Sequence, residues 1–198
     1  MKKGKTFIIC GPSGVGKGTV VSRLLEMDPT LYFSVSATTR PPRPGEVDGV
    51  HYHFLSQEQF RQWIQEDAFL EYAQFVSNYY GTPMKYVDEA MEAGRDVLLD
   101  IEIQGAAQVH VKRPEAVRIY VAPPSWTELE RRLMGRGTET PEKVHQRLER
   151  GKQEFAAAAG FDYFIINDTV DQAVADIRAI MRAEHCRPQE GLAEVARS

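Results

Sequence analysis

A short apolar run, Thr6-Phe7-Ile8-Ile9-Cys10, leads without a break into Gly11-Pro12-Ser13-Gly14-Val15-Gly16-Lys17-Gly18-Thr19, and residues Lys17 to Glu26 then carry apolar positions at helical spacing. A buried strand, a glycine-rich loop and a helix in that order point to a layered α/β domain, with the loop bridging the strand and the helix. Four glycines within nine residues are costly in chain entropy unless backbone N–H groups must approach something closely. Here those groups can turn inward toward an anion. The helix beginning near Lys17 adds the positive end of its dipole, and Lys17 adds a mobile full charge. The segment therefore predicts a cradle for the phosphates of a nucleoside triphosphate, built from Gly11, Ser13, Gly14, Val15, Gly16, Lys17, Gly18 and Thr19. One place departs from the usual pattern: Gly18 stands where a serine or threonine normally coordinates magnesium, and Thr19 follows it.

The chain of 198 residues, 42% of them hydrophobic, is long enough for a substantial core and reads as one domain with subdomains. A formal charge of -4 provides no global basic field, which argues against a nucleic-acid partner. Only Cys10 and Cys186 are present, so neither a disulfide framework nor a zinc spacing exists and a reducing compartment fits. Lys2, Lys3 and Lys5 precede an apolar run too short for a signal-peptide core, and no apolar stretch approaches the length of a membrane span. The expectation is a soluble, cytoplasmic protein without a membrane partner; the oligomeric state is left open.

Three further apolar runs, Val97-Leu98-Leu99-Asp100-Ile101, Val117-Arg118-Ile119-Tyr120-Val121 and Tyr163-Phe164-Ile165-Ile166, read as strands of a parallel sheet covered on both faces. Helices are expected between them. One begins at Thr82-Pro83 and stops at Gly94, another starts from a Ser125–Glu128 capping box, a third runs from Thr140-Pro141 to about Ala159, and the last spans about Val170 to Ala183. Two segments interrupt this doubly wound α/β core. Residues 36–83 are rich in Thr, Arg, Pro, Gly and Tyr around a helix from Gln57 to Glu66 and read as a small β-rich insertion. Residues 129–159 carry clustered arginines around Gly135, Gly137 and Pro141 and read as a mobile basic lid. The core is thus expected in 1–35, 84–128 and 160–184, with 185–198 as a frayed tail.

Within the insertion, Arg40 and Arg43 lie three apart on a proline-stiffened segment followed by Tyr52, so two guanidinium forks and a phenol can meet one phosphate. An exposed loop with solvated arginines is the plain alternative. Glu71 stands near Asn78-Tyr79-Tyr80-Gly81-Thr82. A carboxylate can accept from both N1–H and the 2-amino group of guanine, with hydroxyls of Ser36 and Thr82 completing the edge; adenine has no N1–H to offer. Asp100 ends an apolar strand and Glu102 follows one alternation later, where α/β sheets bind ligands, so an acid there can hold magnesium through water or touch the acceptor. The lid arginines suit the charge that spreads over a transferring phosphoryl group, though alternation with glutamates also describes a solvated helix face.

Taken together, the loop 11–19, Ser34-Val35-Ser36-Ala37-Thr38-Thr39-Arg40 with Arg43-Pro44-Gly45-Glu46, Glu71-Tyr72-Ala73-Gln74-Phe75, Asn78-Tyr79-Tyr80-Gly81, Leu99-Asp100-Ile101-Glu102-Ile103-Gln104-Gly105 and Arg132-Leu133-Met134-Gly135-Arg136-Gly137 resemble the guanylate kinase family over about residues 5–184. The resemblance implies a P-loop kinase core with a helical lid and transfer of phosphate from ATP, with Mg2+, to GMP and also dGMP. It implies that Ser36, Glu71 and Thr82 read guanine with Asp100 near the acceptor, and that Arg40, Arg43, Tyr52 and Tyr80 hold the GMP phosphate beside Glu46. Lys17, Arg40, Arg132, Arg136 and Arg147 would act on the reacting centre, Asn167 would lie near adenine, and Thr19 and Asp100 are the candidate metal residues. Two other readings stand beside it: a non-catalytic phosphopeptide-docking module of the same fold, or a kinase for another phosphate ester.

Overall fold

The computed structural model describes residues 3–135 and 140–188. In chain order the elements are β1 Thr6–Cys10, α1 Lys17–Met27, β2 Tyr32–Phe33, β3 Ala37–Thr38, β4 His53–Phe54, α2 Gln57–Gln65, β5 Phe69–Phe75, β6 Asn78–Pro83, α3 Met84–Glu92, β7 Val97–Asp100, α4 Ile103–Lys112, β8 Val117–Ala122, α5 Trp126–Met134, α6 Pro141–Phe155, a 3-10 turn Ala156–Gly160, β9 Tyr163–Ile166 and α7 Val170–Glu184. Five strands form one sheet in the order β2-β7-β1-β8-β9, and every pairing in it is parallel. Its strands are near-continuous apolar runs because helices cover both faces. Along β1, Phe7 and Ile9 pack with Val21 and Leu24 of α1 and Ile177 of α7, while Ile8 and Cys10 face Val87 of α3 and Val109 of α4.

This topology brings the carboxyl ends of β1, β7, β8 and β9 to one edge. The loops leaving that edge carry the glycine segment, Glu102, Ser125 and Asn167, the place where open parallel sheets bind ligands. A second sheet, ordered β4-β3-β6-β5, is built from the insertion, around Phe60 and Phe69, whose rings stack with centroids 4.4 Å apart.

The structure differs from the sequence expectation in three places. Thr82 and Pro83 end strand β6 rather than opening α3, because Thr82 pairs in register with Glu71 across β5. Helix α4 carries Gly105 in its first turns, a residue that weakens helical propensity and masks the segment in sequence. At α5, Ser125 accepts from the Glu128 N–H at 3.0 Å as expected of a capping residue. The Glu128 carboxylate, however, faces Arg131 and Arg132, since two guanidinium partners outweigh a single backbone N–H.

Candidate functional site

The loop between β1 and α1 needs glycine for steric reasons. Gly11 has φ 151°, and a Cβ there would lie 2.1 Å from the Val121 carbonyl oxygen on β8. Gly16, at the N-cap of α1, has φ 102°, and a Cβ there would lie 2.7 Å from Nδ2 of Asn167. That amide donates to the Val15 carbonyl at 2.8 Å and is buried, so the turn after β9 props the glycine loop from below. Gly16→Ala is expected to destabilise the fold by about 1–3 kcal/mol through the strained φ alone, with further loss from the Asn167 collision. Chemical denaturation of the two proteins checks this.

Lys17 begins α1 and reaches back to donate to the Gly11 carbonyl at 2.7 Å, so its ammonium crosses the mouth of the loop. Its charge is felt at two groups on neighbouring strand ends. Burial pushes the Cys10 thiol up to about 12 and also raises the Asp100 carboxyl, and Lys17 opposes both shifts. A cation, an acid and the N-terminus of an 11-residue helix therefore converge at the carboxyl ends of β1 and β7.

Lid helices α5 and α6 lie against this loop. Arg147 of α6 donates to the Ser13 hydroxyl at 2.7 Å, and Gly151 packs closely enough that a Cβ would be 3.1 Å from Cβ of Pro12. Arg132 of α5 donates to the carbonyls of Asn167 at 3.0 Å, Val15 at 3.3 Å and Asp168 at 3.3 Å, with Glu128 behind it at 2.7 Å. Arg131 first and Arg132 second hold the Glu128 carboxyl down at about 2. Arg132 and Asn167 thus meet as supports of the phosphate loop. Arg136 lies outside the described residues.

In the insertion, Glu46 grips Arg40 with two parallel hydrogen bonds of 2.9 and 2.8 Å and also accepts from the Arg43 N–H at 2.6 Å. Arg40 foremost holds the Glu46 carboxyl down at about 2. The Arg40 guanidinium lies 5.4 Å from the Tyr52 ring centroid, and Tyr52 meets the Tyr80 ring edge-on at 6.2 Å. Glu46 thus orients the Arg40 guanidinium beside two phenol rings and fixes the backbone at Arg43.

Next to it, register brings Glu71 opposite Thr82, and the buried Thr82 hydroxyl donates to Oε1 of the buried Glu71 at 2.7 Å. Gly105 on α4 leaves room for the other oxygen, since a Cβ there would lie 2.8 Å from Oε2. Burial raises the Glu71 carboxyl, Thr82 lowers it, and the charge of Glu102 raises it further. Ser36, half-buried before β3, completes this strand neighbourhood through its carbonyl, which accepts from the His53 N–H at 2.9 Å. Sequence reasoning passed over two groups here: Glu128 as the anchor of Arg132, legible as an i,i+4 pair, and Gly105 as the wall of Glu71, which only the tertiary fold shows.

Among the described residues no cluster of three or more His, Cys, Asp or Glu side chains exists to hold a metal. Thr19 is exposed on α1, and a Cβ at Gly18 would meet nothing within 4 Å, so packing does not demand glycine at the position where a hydroxyl is missing. A single carboxylate, Asp100, close enough to Lys17 to feel its charge, fits a hard cation that keeps most of its waters and binds chiefly through substrate phosphates.

A glycine loop at the end of a parallel sheet, with helices α5 and α6 against it and a small β-rich insertion beside the core sheet, is the architecture of a P-loop kinase. The family model described as guanylate kinase matches residues 3–184, and the chain belongs to the guanylate kinase family. It is 50% identical over 186 residues to a guanylate kinase of Halalkalibacterium halodurans, covering 94% of this chain and 91% of that one. It is 51% identical over 185 residues to one from Thermus thermophilus, covering 93% and 84%. The crystal structure of guanylate kinase from Anaplasma phagocytophilum superposes with a TM-score of 0.77 at 31% identity, covering all of this chain and 95% of that one.

Proposed function

We infer that the chain is an ATP:GMP phosphotransferase, moving the terminal phosphoryl group of ATP to the phosphate of GMP to give ADP and GDP. The observation that carries the specificity is the buried Glu71 carboxylate, one oxygen satisfied by Thr82 and the other spaced by Gly105. Buried away from water, its acceptor oxygens need donors, and guanine supplies two from one edge. Ser36, Glu71 and Thr82 read the base in this proposal. Arg40, Arg43, Tyr52 and Tyr80 bind its phosphate, with Glu46 fixing Arg40. dGMP is proposed as a second acceptor.

A phosphate oxygen of GMP is already a nucleophile once the arginine forks neutralise its charge, so no protein base and no covalent enzyme intermediate is required. That oxygen bonds to the γ-phosphorus as the bond to the β–γ bridging oxygen breaks, and ADP carries away the electron pair. Lys17 and the loop N–H groups bind the donor phosphates. Arg132 holds the loop in shape through Val15, and Arg147 and Arg136 bring lid charge to the centre. Asn167 supports the loop near the adenine end. A divalent metal, Mg2+ in this proposal, would neutralise polyphosphate charge when bound, with Asp100 and Thr19 as the residues nearest to hold its waters. The lid 129–159 and the insertion 36–83 are proposed as the closing parts on the core formed by 1–35, 84–128 and 160–184. Free cysteines at positions 10 and 186 accord with a cytoplasmic setting, where the nucleotide pool also lies. ADP release measured with ATP and each of GMP, dGMP, AMP, CMP and UMP tests the reading: turnover with GMP is expected to dominate, and equal rates for AMP would overturn it.

A further inference from the structure

Arg150 of lid helix α6 points to neither the glycine loop nor Glu46 but is tied to two carboxylates. Its Nη2 donates to Oε2 of Glu102 at 2.8 Å and its Nε to Oε1 of Glu154 at 2.7 Å. Glu154 lies one turn further along the same helix, so that pair shapes the arginine. Glu102 belongs to the core. It is the N-cap residue of α4, and its carbonyl accepts the Ala106 N–H at 2.9 Å, fixing the first turn of that helix. The same turn carries Gly105, which forms the wall against Oε2 of Glu71. Glu102 is therefore joined through the backbone to the wall of the guanine-reading carboxylate and through an ion pair to the lid. The like charge of Glu102 is also felt at Glu71, which places the two carboxylates in one neighbourhood.

We propose that Arg150 is a positioning residue that couples docking of the lid to the acceptor pocket by pinning Glu102 at the head of α4. The proposal rests on the guanylate kinase reading of the site. On the same helix, Arg147 reaches Ser13 and Gly151 packs on Pro12, so α6 touches the glycine loop through these two residues and the head of α4 through Arg150 between them. Occupancy of the donor side holds α6 in place, which holds Arg150 on Glu102. By reciprocity, GMP binding tightens ATP binding by the same factor.

The test measures GMP affinity by calorimetry with and without a saturating non-hydrolysable ATP analogue. In the unmodified protein the analogue is expected to tighten GMP binding. In Arg150→Gln the enhancement is expected to shrink by about two- to fivefold, the range open to an exposed ion pair, while GMP affinity without the analogue and thermal stability hold. In a Glu102→Gln background, adding Arg150→Gln is expected to change the enhancement no further. An enhancement absent from the unmodified protein, untouched by Arg150→Gln, or reduced equally with Glu or Gln at position 102 overturns the proposal alone. Absence of GMP-dependent ADP release by the unmodified protein overturns the functional reading and the proposal with it.

Discussion

Lys17→Met is expected to lower ATP-dependent turnover of GMP by about 10³-fold while leaving GMP binding within about twofold of the unmodified protein. The ammonium crosses the mouth of the loop by bonding the Gly11 carbonyl, and methionine keeps the length of the side chain while losing both that bond and the charge. Among the described residues the neighbouring arginines already have partners. Arg147 is engaged with Ser13, and Arg132 is committed to three carbonyls and Glu128. Positioning and charge neutralisation supply most of the catalysis in phosphoryl transfer, so deleting a cation at the donor phosphates falls on kcat as well as on ATP affinity. The loop itself persists because Asn167 and Arg132 hold Val15 from the opposite side. Lys17 opposes the upward push of burial on the Asp100 carboxyl, so without it that raised pKa climbs further. Steady-state ADP release, set against GMP calorimetry on the same preparation, checks the prediction. Loss of both activity and GMP binding would place Lys17 in the fold rather than in the chemistry.

The phosphate loop was legible because its requirements are local: backbone freedom at Gly11 and Gly16, a helix start and a lysine all lie within nine residues. The sheet was legible for a related reason, since Val97–Asp100 and Val117–Ala122 are near-continuous apolar runs buried between helix layers, and Tyr163–Ile166 is an apolar run too, although as an edge strand it leaves Phe164 and Ile166 half-exposed. Features fixed across long separations were not. Residues 15, 132 and 167 meet only after β9 lies against β8, and no spacing in the chain announces that Asn167 supports a carbonyl of the loop. Glu128 satisfied a helix-start signature, yet its carboxylate serves Arg131 and Arg132, because a local pattern predicts a backbone cap and cannot weigh it against charged partners. Thr82 looked like a helix start beside Pro83. The grouping of its hydroxyl with Glu71 was read from the sequence, but the β5–β6 register that sets the two side chains opposite each other was not.

Glu71→Gln isolates that pair, and kcat/KM for GMP is expected to fall on the order of 10³-fold, with the GMP-over-AMP preference shrinking by a comparable factor. The Thr82 hydroxyl already donates to one oxygen, so a glutamine keeps its carbonyl there and turns its amide NH2 to the other position. Guanine then presents donors to a donor, whereas adenine offers its N1 as an acceptor. Stability moves the other way. Burial raises the Glu71 carboxyl, so the folded protein binds this proton more tightly than the unfolded chain does. The resulting stabilisation is complete below the unfolded carboxyl pKa of about 4.3 and disappears as pH rises through the folded value. Above the folded value the unmodified protein therefore carries the cost of a buried charge that Glu71→Gln removes, and there the variant should melt no lower. Recognition carries the matching signature: only the ionised carboxylate accepts two donors, so GMP affinity should weaken with acidification at a higher pH than an ordinary glutamate would impose. That limb should vanish in the variant. Unchanged selectivity, or an acid limb that survives the substitution, would remove Glu71 from the base pocket and leave the second anion site to choose its own substrate.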